Sequence, residues 1–192
     1  MNELIMVRHG ETDANHQYLV QGRTDNPLNA IGKEQAVQTA RFFLSRKEGF
    51  SAIYASPLTR AYETAEIIRR ELAIAKEIIV HPGLIERNFG DYDGEKINDA
   101  YYEGVFAGTL PHMEKNAELE MRVDQAIREI CENNPDQRIL IVTHSHVIKS
   151  VLVRALPNFT YASLLNNCSV NSLTYSNGIF QVQAINISPL KK

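Results

Sequence analysis

The chain has 192 residues, 44% hydrophobic and 22% charged, with a formal net charge of −3 from 20 Lys+Arg against 23 Asp+Glu. That length suits one domain spanning 1–192, and the weakly acidic balance excludes a general nucleic-acid binder, whose affinity rests on basic surface. No apolar stretch reaches the roughly 18 residues of a membrane span, no leader pattern opens the chain, and Cys131 and Cys168 form no disulfide framework, so a reduced, cytoplasmic protein is expected.

In chain order, "ELIMV" at 3–7 is the first short, continuously apolar run, as expected of a strand covered on both faces. It runs straight into Arg8, His9 and Gly10, a cation and an imidazole that a buried strand has no structural need for. Ala36, Ala40, Phe43 and Leu44 then form a helical stripe, followed by a second strand at 52–55. Ser56-Pro57 reads as the start of the next helix, with Ser as cap and Pro in the first turn, and Ala61, Ala65, Ile68 and Leu72 as its buried stripe. A third strand is expected at 77–80.

Residues 95 to 117 are the poorest in strand pattern and read as a helix and loop laid over the core, a short helical lid at about 95–115. Leu119, Val123, Ala126, Ile127 and Ile130 make a third helical stripe, "ILIV" at 139–142 a fourth strand, and Val147, Ile148, Val151 and Leu152 a further helix. The end, "SLTYSNGIFQVQAI", reads as a hairpin turning at Asn177-Gly178. Alternating strands and helices imply an α/β fold on a mainly parallel central sheet with this hairpin at its edge.

Ligands of such sheets bind beyond the carboxyl ends of the strands. Those ends carry Arg8 and His9, then Ser56 and Arg60, then Glu86, then His144. The set suits phosphoryl transfer without a metal. Guanidinium groups hold phosphate oxygens bidentately. One neutral imidazole can attack phosphorus and a second can stabilise the equatorial oxygens. A carboxylic acid can protonate the leaving oxygen, and Glu86, beside Leu84, Ile85 and Phe89, has apolar neighbours that raise its pKa. Backbone N–H groups at the helix starts after Ser56 and His144 are expected to add to the anion site.

Five blocks, "RHGET" at 8–12 with Asn15, "QGRTDNPLNAIGKEQA" at 21–36, "ASPLTRAYETA" at 55–65, "LIERNFGDYDG" at 84–94 and "VTHSHVI" at 142–148, resemble the histidine phosphatase superfamily, also called phosphoglycerate mutase-like. The resemblance is collinear from residue 4 to about 155. It implies a three-layer α/β/α sandwich that needs no metal or cofactor. It further implies His9 as the phosphorylated nucleophile, with Arg8, Arg60 and His144 holding the phosphoryl group. Glu86 is then the proton donor and later the base that activates water. Asn15, Gln21 and Gly22 match substrate-binding positions.

Two departures stand out. Ser145-His146 follow His144 where the family usually has glycine, which places Ser145 at the substrate and an extra imidazole beside it. Glu114 stands where many small members carry an acid between Gly and Ser, and it reads here as a solvated lid residue. His144-x-His146 with His9 and Glu86 could be drawn as a metal site, but two arginines in one pocket repel a dication. His16, His81 and His112 read as surface or loop histidines.

The expected activity is therefore a metal-independent phosphomonoester phosphatase acting on a small organic phosphate, as a monomer or a homodimer. A cofactor-dependent phosphoglycerate mutase shares every catalytic residue. The resemblance implies that mutases carry a longer insertion with further basic residues between the positions of Glu86 and His144, so the short span here favours water as acceptor. The third alternative, a phospho-ligand-binding module without turnover, is expected to lose His9 or Glu86, and both are present.

Overall fold

The computed structural model describes residues 1–190; Lys191 and Lys192, the last two of the expected domain, lie outside the described residues. The strands are β1 (Asn2–Arg8), β2 (Ala52–Ala55), β3 (Ile78–Val80), β4 (Arg138–Thr143), β5 (Val170–Ser176) and β6 (Ile179–Ile187). The helices are α1 (Asp13–His16), α2 (Ala30–Ser45), α3 (Thr59–Glu71), α4 (Asp99–Ala107), α5 (Asn116–Asn133) and α6 (Ser145–Ala155). Tight 3-10 turns lie at Pro82–Leu84 and Gly90–Tyr92.

All six strands form one sheet in the order β3-β2-β4-β1-β5-β6. The first four are parallel, and β5 and β6 add antiparallel at one edge. The three layers follow from strand alternation, since successive side chains point to opposite faces. Leu4, Met6, Ile139 and Ile141 face α5 and α6 on one side. Ile5, Val7, Leu140 and Val142 face Ala40 and Phe43 of α2 and Ala61, Ala65 and Ile68 of α3 on the other. The hairpin turns at Asn177 and Gly178, both at positive φ (52° and 80°), as an Asn-Gly turn requires.

Three expectations are corrected. The strand at 77–80 is not covered on both faces: β3 is an edge strand, and Ile79 is 46% exposed. Leu44, expected on the buried stripe, faces solvent while Phe43 takes the core position. Ser56 does not cap α3. The helix starts at Thr59, whose N–H and Oγ1 donate to Asp25 at 2.7 and 2.8 Å. A carboxylate at a helix N-terminus also complements its dipole, so the 21–26 loop is tied to α3, which carries Arg60.

The chain leaves β1 through Gly10, whose φ is not positive. Instead a Cβ there would lie 2.5 Å from the Gly32 carbonyl oxygen, and one on Gly32 would lie 2.1 Å from that of Glu11. Two backbones touch at this point, so the segment after His9 rests directly on the first turn of α2. Gly22 does adopt positive φ (+42°), which turns the 21–26 loop over the sheet edge.

Candidate active site

Strand register places the expected groups together. Arg8 of β1 pairs with Thr143 of β4, and the His9 N–H donates to the Thr143 carbonyl at 2.9 Å, so His9 and His144 leave adjacent strands side by side. Their ring centroids are 5.2 Å apart at 61°. Ser56 leaves β2 next door, its N–H bonded to the Val142 carbonyl. A cavity of ≈ 250 Å³ opens over these ends, lined among others by Arg8, His9, Asn15, Gln21, Gly22, Arg60, Glu86 and Ser145.

His9 is 3% exposed, and its Nδ1 lies 2.7 Å from the Gly10 carbonyl oxygen. A carbonyl can only accept, so Nδ1 carries the proton and Nε2 keeps its lone pair. Burial first, then the Arg60 and Arg8 charges, hold the imidazole well below its ordinary pKa, which leaves it neutral. Arg60 Nε points at that lone pair from 3.3 Å. Its other nitrogens donate to the carbonyls of Thr24 (2.7 Å) and Gly22 (2.8 Å), which fixes the guanidinium and the loop together. Burial pushes Arg60 down to about 10, still cationic at neutral pH. Arg8 Nη1 donates to the Leu165 carbonyl at 2.5 Å, while its buried Nε has no partner among the described residues.

His144 is fully buried behind His9. Its Nε2 lies 2.7 Å from Ser56 Oγ, and its Nδ1 is a second buried nitrogen with no partner. Native interiors rarely leave such groups unbonded, and both belong to neighbours of His9, Arg8 along the chain and His144 by ring contact. Glu86 accepts the Arg87 N–H at 2.8 Å and the His146 N–H at 3.5 Å. Burial pushes its carboxyl up, against the Arg87 N–H and the Arg60 charge, so it keeps its proton above the ordinary carboxyl range. One N–H at each helix start expected to add to the anion site is taken by a side-chain carboxyl, that of Thr59 by Asp25 and that of His146 by Glu86.

Asn15 Oδ1 accepts from the Thr12 N–H (3.3 Å) and from Asn167 Nδ2 (3.2 Å), which leaves its NH2 group as the donor at the cavity wall. Gln21 Oε1 takes the Thr12 hydroxyl (2.9 Å), so its side chain braces the loop.

Glu114 corrects a further expectation, since it is no solvated lid residue. Its carboxylate binds Arg122 at 2.6 and 3.0 Å and accepts the Asn88 N–H. Burial pushes Glu114 up, but Arg122 outweighs it and holds the carboxyl below its ordinary range. Arg122 also donates to the carbonyls of Gly83, Ile85 and Glu86, so this pair grips the backbone that presents Glu86. His16 is exposed as expected, His81 meets Glu129 at 3.2 Å and His112 meets Asp91. Among the described residues no group of three His, Cys, Asp or Glu is placed to hold a metal ion. Both cysteines are free and buried, and no described helix is long and apolar enough to cross a membrane.

Sequence reasoning missed the hydroxyl of Ser56 as the partner of His144. It also missed Asn167, whose Nδ2 holds the His9 carbonyl at 3.0 Å, and Lys149, a cavity-lining lysine. Only Lys149 left a signal: a charge inside the apolar run "VIKSVLV".

A neutral imidazole, two guanidinium groups and one carboxyl whose pKa burial raises meet at the carboxyl edge of a parallel sheet, a set suited to an anionic ligand. The chain belongs to the histidine phosphatase superfamily (branch 1), whose family model matches residues 4–188. It is 31% identical to the uncharacterized phosphatase PhoE of Bacillus subtilis over 98% of this chain and 96% of that one. It is 34% identical to phosphoglycerate mutase-like protein 4 of Arabidopsis thaliana, over 88% of this chain and 77% of that one. Its structure matches a mutant phosphoserine phosphatase of Entamoeba histolytica in complex with phosphoserine, with a TM-score of 0.81, 26% identity and 98% of both chains covered. The protein is an enzyme of the histidine phosphatase type.

Proposed function

We propose that the protein hydrolyses a small organic phosphomonoester in two displacements through Nε2 of His9, without a metal ion. The observation that carries this reading is the 2.7 Å contact of His9 Nδ1 with the Gly10 carbonyl, which assigns the ring proton to Nδ1 and frees Nε2, with His9 in a cavity lined by Arg8, Arg60 and Glu86. In the first step the Nε2 lone pair forms a bond to phosphorus as the ester P–O bond breaks. Glu86 gives its proton to the departing oxygen. Arg8 Nε and His144 Nδ1, both without a partner, are donors for the phosphoryl oxygens, joined by Arg60 and the Asn15 amide. In the second step the Glu86 carboxylate takes a proton from water, the water oxygen bonds to phosphorus and the P–N bond breaks. Glu86 is again protonated and His9 again neutral.

Two guanidinium groups beside a single carboxyl repel a dication rather than hold it, which supports metal independence. The two free, buried thiols suit a reducing, cytoplasmic setting. Release of phosphate from p-nitrophenyl phosphate and from a panel of phosphometabolites tests the reading. His9→Ala is expected to lose at least ~10⁴-fold in kcat, as removal of a nucleophile does, and vanadate to inhibit. Turnover by that variant at the unmutated rate contradicts it. Similarity to a mutase-like relative favours one second reading, in which the phosphoryl group returns to a sugar-acid hydroxyl. Formation of 2-phosphoglycerate from 3-phosphoglycerate only when 2,3-bisphosphoglycerate is supplied would establish it instead.

A further inference from the structure

One cation in the cavity is not used by the phosphoryl chemistry. Lys149 stands in the middle of α6 among Ile148, Ser150 and Val151, is 7% exposed, and lines the same cavity as His9 and Glu86. Its ammonium has three N–H bonds and gives one to the Tyr161 carbonyl at 2.7 Å. Among the described residues no carboxylate lies within ion-pair distance of it. A buried ammonium held by one carbonyl is costly unless an anion arrives to meet it.

One helical turn back, His146 lines the same cavity. Arg87 Nη1 approaches its Nδ1 at 3.5 Å, and a guanidinium can only donate. Nδ1 is therefore bare and the ring proton sits on Nε2. Tyr161 stacks on this ring at 5.4 Å and Phe89 meets it edge-on at 4.9 Å, which fixes its orientation. Burial and the charges of Lys149 and Arg87 keep it neutral. Burial and then Arg8 push Lys149 down to about 8, with Glu86 opposing, so it remains cationic at neutral pH.

We propose that Lys149 and the Nε2–H of His146 form a second anion site that receives a carboxylate of the substrate, so the preferred esters are small phosphorylated carboxylic acids. An ammonium and one N–H suit the two oxygens of a carboxylate, whereas a second phosphate calls for guanidinium forks, which the cavity concentrates at the His9 end. The cavity volume, ≈ 250 Å³, suits both groups on one short carbon chain. Ser145-His146, the departure from the usual glycine, thereby acquires a role in choosing substrate. The proposal rests on the phosphatase reading for what happens at the other end of the molecule.

Two ligands that differ only in the group at issue test it: 3-phosphoglycerate, with a carboxylate, and glycerol 3-phosphate, with a hydroxymethyl in its place. Calorimetric titration uses the full chain carrying His9→Ala, so that neither ligand turns over. The expected result is at least about tenfold tighter binding of 3-phosphoglycerate, the worth of one charged hydrogen bond. Adding Lys149→Met is expected to remove that preference and Lys149→Arg to keep part of it, with Lys149→Gln as the second variant should the methionine one not fold. Equal binding of the two ligands before Lys149 is touched, or an equal loss for both in Lys149→Met, overturns the proposal. Hydrolysis of p-nitrophenyl phosphate by the unmutated protein is measured alongside. Its absence would overturn the phosphatase reading while the binding comparison still decides the carboxylate site.

Discussion

At one end of the cavity Arg8, His9 and Arg60 project from a strand end and the first helical turn after another. At the other end Tyr101 and Val105 come from the nine-residue α4, and Tyr161 from the connection after α6. The first end is fixed by backbone: the Gly10, Thr24, Gly22 and Leu165 carbonyls each hold one nitrogen of His9, Arg60 or Arg8. The second is fixed by packing, with Tyr101 against Phe89 and Tyr92, and with Phe106 left 66% exposed. Donors held in place before the substrate arrives lose nothing to reorganisation during reaction. On the proposed reading the His9 end serves the chemistry and the α4 end the choice of ester. Substitutions at the two ends should divide between kcat and KM.

The largest effect after loss of His9 is expected from Glu86→Gln. It should cost kcat about 10²- to 10⁴-fold, more for an alkyl phosphate than for p-nitrophenyl phosphate, whose leaving group needs little protonation. The pH profile follows from the same groups. In the proposed mechanism His9 attacks only when neutral, and its lowered pKa should extend activity to acid pH. Glu86 must be protonated to start the reaction, and its raised pKa carries that form above the ordinary carboxyl range. The rate should fall as pH rises through the Glu86 value and as pH drops through that of His9. Because the groups interact, both limbs report the coupled site. Loss of the alkaline limb in Glu86→Gln checks the assignment; an unchanged limb refutes it.

A smaller effect is expected one shell out. Arg122→Met removes the grip on the carbonyls of Gly83, Ile85 and Glu86 and leaves Glu114 without its partner. It should lower kcat about tenfold and stability by about 2–3 kcal/mol, read by steady-state kinetics and denaturant titration. An equal change in KM with kcat intact would mean that this pair serves binding and not the placement of Glu86. The smallest effect belongs to the α4 end. Tyr102→Ala, at a half-exposed cavity wall, should raise KM about threefold for the preferred ester, a loss under ~1 kcal/mol of partial apolar burial, with kcat unchanged. A fall in kcat there would break the division.

The same division governs what could be read in the sequence. Apolar runs and helical stripes are local patterns, so β1, β2, β4, the hairpin and the buried faces of α3 and α5 were legible. So were the groups at the strand ends, because each sits next to the run that positions it. What failed depended on distant partners. Ser56-Pro57 looked like a helix start because the true cap, Asp25, is 34 positions away. Glu114 looked solvated because its burial against Arg122 and the Asn88 N–H exists only once α5 docks beside the 83–88 turn. The role of Gly10 needed Gly32, and that of Asn167 needed the chain to return to β1.

The division of labour rests on one claim, that the phosphoryl group passes through Nε2 of His9. A single turnover quenched in base, which preserves a P–N bond and hydrolyses none, followed by peptide mapping, tests it most directly. The account predicts a phosphohistidine at position 9 that forms and decays at rates compatible with kcat and is absent in His9→Ala. Steady phosphate release with no phosphohistidine at any time, or with the phosphoryl group on another residue, would contradict it.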